Sequence, residues 1–274
     1  MNHGPTITLN NGNDIPQFGF GVWQVPEDQV VGAVSKALEV GYRHIDTAAM
    51  YGNEEGVGEA IAKSGIDRSE LFVTTKLNND AHGHAEAHAA FEGSLKRLGL
   101  DYVDLYLIHW PLPGQDQYVE TWKAFEDLYA AGTARSIGVS NFHANHLNRL
   151  LAETDVRPAV NQVEVHPTFT QDELRATNKL LNIATEAWTP LGRGDLELAT
   201  ITSIAENVGK TPAQVILRWH LQEGHIVFPK SVTPSRIEEN FDVFDFELSG
   251  ADITAIGALD AGDRTGPNPD EFGA

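Results

Sequence analysis

Eight short runs rich in β-branched and aromatic residues recur along the chain, and longer amphipathic stretches lie between them. The runs are FGFGV (18–22), YRHID (42–46), LFVTTK (71–76), VDLYLIH (103–109), ARSIGVS (134–140), AVNQVE (159–164), IATEAW (183–188) and HIVFPK (225–230). Runs this short and this apolar read as strands covered on both faces. Strands that alternate with helices make a parallel sheet joined by crossovers. Eight such units in 274 residues predict a closed (β/α)8 TIM barrel, with a doubly wound open sheet as the competitor.

The intervening stretches carry helical signals. EDQVVGAVSKALEVG puts Val30, Val34, Ala37 and Leu38 on one face, and AEAHAAFEGSLKRLGL does the same with Ala87, Phe91, Leu95 and Leu98. KTPAQVILRWHLQEG opens on Thr211, Pro212 and Gln214, a capping box with proline in the first turn, and Gly224 suits its far end. Ahead of the first run, Asn11-Gly12 predicts a hairpin over residues 6–16 that caps the N-terminal end of the barrel. No Ser/Gly-rich or Pro-rich linker divides the chain, so residues 1–274 are read as one domain with a polar, turn-rich tail at 261–274.

Composition narrows the function classes. No 18-residue apolar window exists, and the N-terminus has no basic segment followed by an apolar one, so neither a membrane span nor a secretory signal is expected. The absence of cysteine excludes disulfides, thiolate metal sites and a Cys nucleophile, and fits a cytoplasmic protein. A net charge of −20 repels nucleic acid and anionic lipid, so the expected partner is a small molecule and the chain is expected to be a monomer. An anionic ligand would need a local cationic site built against that field.

In a parallel barrel all the C-terminal strand ends share one face, where active sites of such barrels lie. Here those ends carry Asp46, Lys76, His109, Ser140 with Asn141, Gln162 with Glu164, Trp188, and Lys230 with Ser231. One polar residue at a strand end is ordinary rim; Asp46, Tyr51, Lys76 and His109 together are an acid–base apparatus. A free phenol has a pKa of about 10, and a neighbouring ammonium is expected to lower it. Lys76 could supply that ammonium, Asp46 could pair with Lys76, and His109 could hydrogen-bond a carbonyl oxygen.

Several long segments resemble the aldo-keto reductases: GYRHIDTAAMYGNEEGVG, TTKL, DLYLIHWP, RSIGVSNF, PAVNQVEVHP, WTPLGRG, TPAQVILRW and FPKSV followed by RIEENFDVFDFEL. They run in order from about residue 7 to 260, and the short mouth loops are most similar to the small bacterial 2,5-diketo-D-gluconate reductase type. The resemblance implies a barrel that binds NADPH and reduces aldehyde or ketone carbonyls by hydride transfer. It implies Tyr51 as general acid, Lys76 and Asp46 as its tuning pair, and His109 as the residue that orients the carbonyl. Ser140, Asn141 and Gln162 would hold the carboxamide, Trp188 would stack on the nicotinamide, and Thr189, Pro190, Leu191 and Gly192 would lie along the pyrophosphate. Lys230, Ser231, Val232 and Arg236 would surround the 2′-phosphate, with Glu239 and Asn240 at the adenine. Asn78 stands where the family commonly has an aromatic, and Thr189 where Ser is more usual. Trp23, Met50, Asn78 and Trp110 are the substrate-pocket candidates.

Other signals point less strongly. GVGEAI lacks the third glycine of a dinucleotide turn, and Gly56 and Gly58 instead suit close helix packing behind an N-cap at Asn53, with Glu54 and Glu55 at the positive end of the helix dipole. HGHAEAH places His84 and His88 four apart, but Glu86 sits in the wrong position for the helical zinc motif, so a polar loop leading into an exposed helix is favoured, no metal is assigned, and a metal-assisted hydrolase is a distant second class. A third class is an NADPH-binding, redox-sensing protein of the same fold with little turnover; the intact quartet favours the enzyme.

Overall fold

The computed structural model describes residues 4–273; residues 1–3 and 274, the ends of the one-domain assignment, lie outside the described residues. An antiparallel hairpin, β1 (Thr6–Thr8) and β2 (Asp14–Pro16), precedes an eight-stranded parallel sheet. Its strands are β3 (Phe20–Gly21), β4 (His44–Asp46), β5 (Phe72–Leu77), β6 (Leu105–Ile108), β7 (Ile137–Ser140), β8 (Val160–Glu164), β9 (Ala184–Trp188) and β10 (Ile226–Val227), each beside the next in chain order. The sheet closes on itself: Val227 N–H donates to Gln17 O at 3.0 Å, and Gly19 N–H to Val227 O at 2.8 Å. All eight expected runs supply a strand, and the closed (β/α)8 barrel replaces the open-sheet competitor.

Helices α1 (Glu27–Val40), α2 (Glu54–Lys63), α3 (His84–Leu98), α4 (Tyr118–Ala130), α5 (Ala144–Glu153), α6 (Asp172–Leu180), α7 (Ala199–Val208), α8 (Pro212–Gln222), α9 (Pro234–Phe241) and α10 (Gly250–Gly257) cover the outside. The apolar stripe of α1 is buried as its periodicity predicts, and Thr211 caps α8 in a complete box with Gln214. The hairpin closes the N-terminal end. Leu9 and Ile15 join Phe72, Leu105, Leu107, Val160 and Ile226 in a cluster at that end, and Asn10 donates to the carbonyls of Pro158 and Asn182.

The start of α2 differs from expectation. Asn53 occupies the N-cap position, but its side chain makes no capping bond and donates instead to Val22 O and Val25 O. Glu54 does not face solvent; it is 1% exposed and accepts hydrogen bonds from Thr75 Oγ1 at 2.6 Å and Arg97 Nε at 2.7 Å. Long-range partners offered better than the helix terminus have captured both side chains, because a buried amide or carboxylate must be satisfied on every side.

The glycines of α2 do mark close packing. A Cβ on Gly58 would sit 2.2 Å from the carbonyl oxygen of Leu98, whereas one on Gly32, on the exposed side of α1, would meet nothing within 4 Å. Both positions would gain helix propensity, worth about 1 kcal/mol for Gly to Ala. Gly58→Ala is therefore expected to lose a net ~1–3 kcal/mol through overpacking against backbone that cannot yield. Gly32→Ala should gain up to about 1 kcal/mol. Opposite shifts of the two urea midpoints are the check.

Candidate functional site

Parallel register gathers the strand-end residues. Ser140 lies beside Gln162, Gln162 beside Glu186, and Glu186 beside Ile226 across β7 to β10. On the other half, Asp46 on β4 and Lys76 on β5 stand one layer apart. Of these, Asp46, Ser140 and Gln162 line a cavity at the C-terminal end of the barrel that holds about 470 Å³.

Lys76 is fully buried, and its ammonium has three partners. It donates to Asp46 Oδ1 at 2.6 Å, Thr47 O at 2.9 Å and Tyr51 OH at 3.2 Å. Burial alone would favour the neutral amine, but Asp46 and Tyr51 override it and hold the Lys76 pKa above the ordinary lysine value. Burial pushes the Asp46 carboxyl up and Lys76 draws it back; a salt link of 2.6 Å keeps the pair ionised. For Tyr51 the outcome reverses the expectation from sequence: burial raises the phenol pKa by more than Lys76 lowers it, so the net shift is upward. Tyr51 stays protonated, and because its oxygen accepts from Lys76, its own proton is free for another acceptor.

His109 packs edge-on to Tyr51, with ring centroids 5.8 Å apart. Burial and then the Lys76 charge push its pKa down to about 3, so the imidazole is neutral. Asn141 donates to the His109 carbonyl at 2.9 Å and to Ser140 Oγ at 3.1 Å, and accepts from Trp188 Nε1 at 2.8 Å. Gln24, Asn141 and Thr189 all line the cavity with left-handed backbone, φ 56°, 62° and 51°. Asn tolerates that region; a β-branched Thr is strained there, and such strain gathers at sites the surrounding fold over-determines.

Two residues beneath and beside the quartet escaped the sequence reading. Glu186, wholly buried, accepts from Gln162 Nε2 at 2.7 Å, and the same amide group donates to Asp46 Oδ2 at 2.8 Å. Burial first, and then the Asp46 charge, push the Glu186 pKa up to about 8. An acid in the middle of the IATEAW strand was the signal available. Arg193 follows the TPLG turn, is exposed on the cavity wall and, like Lys230, has no acidic partner among the described residues. Arg193 and Lys230 are thus two unpaired cations, among the described residues, on the cavity lining of a chain of net charge −20.

The remaining positions divide by place. Trp23, Met50, Trp110, Thr189, Pro190, Leu191 and Gly192 line the cavity with Tyr51, His109 and Trp188. Ser231, Val232, Arg236, Glu239 and Asn240 do not line it; they run on from Lys230 into α9, where the Glu239 carboxylate accepts from Thr211 Oγ1 at 3.0 Å. Asn78 also lies outside the cavity. Its side-chain Oδ1 accepts from the Asn79 N–H at 2.9 Å, so the side chain starts a 3-10 turn, and Asn78 lines a separate cleft with Glu55 and Asp80.

The tail is docked, not loose. Glu164, 1% exposed, accepts from Thr265 N at 2.7 Å and Gly266 N at 3.0 Å, while Phe272 packs on Trp110 with centroids 4.4 Å apart. His166 bridges Glu164 and Asp195 at 3.1 and 3.2 Å; burial opposes its charge, but the two carboxylates raise its pKa to about 9. Asp195 in turn fills the space against Gly192, where a Cβ would lie 2.2 Å from its carboxyl carbon. Thr265, Gly266 and Pro267 thus form one wall of the cavity.

No helix among the described residues is long and apolar enough to cross a membrane. Residues 15–261 match the model of the aldo/keto reductase family. The chain is 58% identical over 270 residues to an aldo-keto reductase of Mycolicibacterium smegmatis, covering 98% of each protein. It is 53% identical over 270 residues to the methylglyoxal reductase DkgA of Escherichia coli strain K12, covering 97% of this chain and 98% of the relative. A crystal structure of a Gox0644 mutant in complex with NADPH superimposes with a TM-score of 0.94 at 47% identity over 98% of both chains. With the quartet and barrel geometry described above, these likenesses establish that the chain belongs to the aldo/keto reductase family.

Proposed function

We propose that the chain reduces small aldehydes or ketones to alcohols with NADPH, and that Tyr51 gives the proton. The observation that carries this reading is the hydrogen bond from Lys76 to Tyr51, which leaves the hydroxyl proton of this cavity-lining group without a protein acceptor among the described residues. NADPH, when bound, supplies the hydride. The chain's residues do the rest. Neutral His109 beside Tyr51 offers a hydrogen bond that orients the carbonyl oxygen. As Tyr51 releases its proton, the Lys76 ammonium at 3.2 Å stabilises the phenolate left behind. Asp46 keeps that ammonium charged.

The residues fit the cofactor. Trp188 stands at the cavity with its indole N–H committed to Asn141, which fixes the ring plane for stacking. Gly192 and Arg193 suit a pyrophosphate, and Lys230 with the exposed Arg236 suits a 2′-phosphate. Trp23 and Met50, each 45% exposed, make an apolar rim for a small carbonyl compound. The name of the DkgA relatives makes methylglyoxal the first substrate to test.

Tyr51→Phe should lower turnover by about 10²–10⁴-fold while NADPH binding, followed by tryptophan fluorescence, stays within about threefold; near-normal turnover would overturn the assignment. Lys230→Ala should weaken NADPH much more than NADH, and Arg193→Ala should weaken both alike. An equal loss with Lys230→Ala would remove the 2′-phosphate site.

Glu186 sets a pH dependence. Its folded pKa, about 8, lies above the ordinary 4.5, so the folded state holds the extra proton and its stabilisation is lost as pH rises through 8. Ionised, it would add a second negative charge beside Asp46. Glu186→Gln keeps an acceptor for Gln162 without the charge. Relative to the parent, it should gain stability between pH 6 and pH 9 in urea unfolding; a pH-independent difference would show that Glu186 is not protonated at neutral pH.

A further inference from the structure

The HGHAEAH segment takes no part in the barrel mouth: neither His84 nor His88 lines the cavity. The structure gives it another partner. α3 begins at His84, so His84 and His88 stand one turn apart on the same helix face, with ring centroids 5.1 Å apart. Asp127 of α4 reaches toward both. Its Oδ2 lies 3.0 Å from His84 Nε2 and 3.6 Å from His88 Nε2, and the three ligand atoms all fall within 4.8 Å of one another. We infer that His84, His88 and Asp127 bind a divalent transition-metal ion of the zinc class and clip α3 to α4.

Chemistry and geometry both support this. Four-coordinate zinc takes His nitrogen at about 2.0–2.1 Å and carboxylate oxygen at about 2.0–2.2 Å. Tetrahedral geometry then sets neighbouring ligand atoms roughly 3.3 Å apart. The two contacts to Asp127 bracket that spacing, and the two imidazole nitrogens lie within 4.8 Å of each other, so rotation of these exposed side chains would complete the shell. Two imidazoles and one carboxylate favour zinc, nickel or copper over magnesium or calcium, which prefer all-oxygen shells. The side chains are 49%, 34% and 59% exposed, so an ion enters freely and keeps water in its remaining positions. The strongly acidic surface concentrates cations around it. His82, in the same segment, is buried and is not a ligand. The ion would add a cross-link where α3 and α4 are already joined by the bond from Gly83 N to Thr121 Oγ1. Lying on the outer helix layer, it serves stability and not the barrel-mouth chemistry.

The test uses the full chain, stripped with chelator and titrated with zinc or nickel by calorimetry and thermal unfolding. One ion per chain and a midpoint raised by a few degrees are expected, with no effect of magnesium. His88→Gln and Asp127→Asn should each weaken binding at least tenfold and abolish the midpoint shift. His143→Gln, at the N-cap of α5 where His143 Nδ1 lies 2.8 Å from Asp270 Oδ2, should change neither. Equal binding by parent and His88→Gln, loss of binding in His143→Gln alone, or no binding below millimolar metal would each overturn the inference.

Discussion

The ammonium of Lys76 is the constraint around which the barrel is arranged. A lysine charge with no exposure costs several kcal/mol to desolvate, and only a full set of acceptors offsets that cost. Asp46, the carbonyl of Thr47 and the Tyr51 hydroxyl provide the set. Each demands a further partner of its own. The second oxygen of Asp46 needs Gln162, whose amide also reaches Glu186. The upper barrel interior is therefore a hydrogen-bonded lattice from β4 round to β9, where other barrels stack branched aliphatics. Removing one member strands the next. The acid–base properties of the mouth and the integrity of the barrel rest on the same bonds.

Electrostatics at the mouth are local in origin. The chain as a whole repels anions, yet Arg193 and Lys230 line the opening without acidic partners among the described residues. Elsewhere many cations are neutralised by pairing, as Arg149 is by Glu153 and Lys210 by Asp242 and Asp245. Leaving a few cations unpaired gives an acidic protein a locally positive edge.

Much of this was legible in the sequence. The barrel followed from the eightfold strand–helix alternation, and the quartet from polar residues at strand ends that the topology must bring together. The failures share one cause. Tyr51's protonation depends on how deeply it is buried, and that depth is a tertiary quantity. Asn53 and Glu54 obeyed distant partners, Val22 and Arg97, over the local capping rule. Asn78 turned away because its side chain closes its own turn. Glu186 went unnoticed because a lone acid inside an apolar run gives no hint of which strand will face it. The Asp127 side of the histidine pair was invisible for the same reason: it lies 43 residues from His84.

The tail carries a different kind of consequence. Thr265, Gly266 and Pro267 line the cavity wall and Phe272 backs Trp110, yet none of them belongs to a strand or a helix of the barrel. Their anchors are the buried Glu164 carboxylate, the aromatic face of Trp110, and Asp270, which accepts from Asn145 Nδ2 at 3.2 Å and lies 2.8 Å from His143 Nδ1. Mutations there can remodel the opening without disturbing a single ladder bond, so this segment can vary while the strand ladders are held fixed. The shape of the opening in this chain can thus change on a separate clock from the barrel's stability.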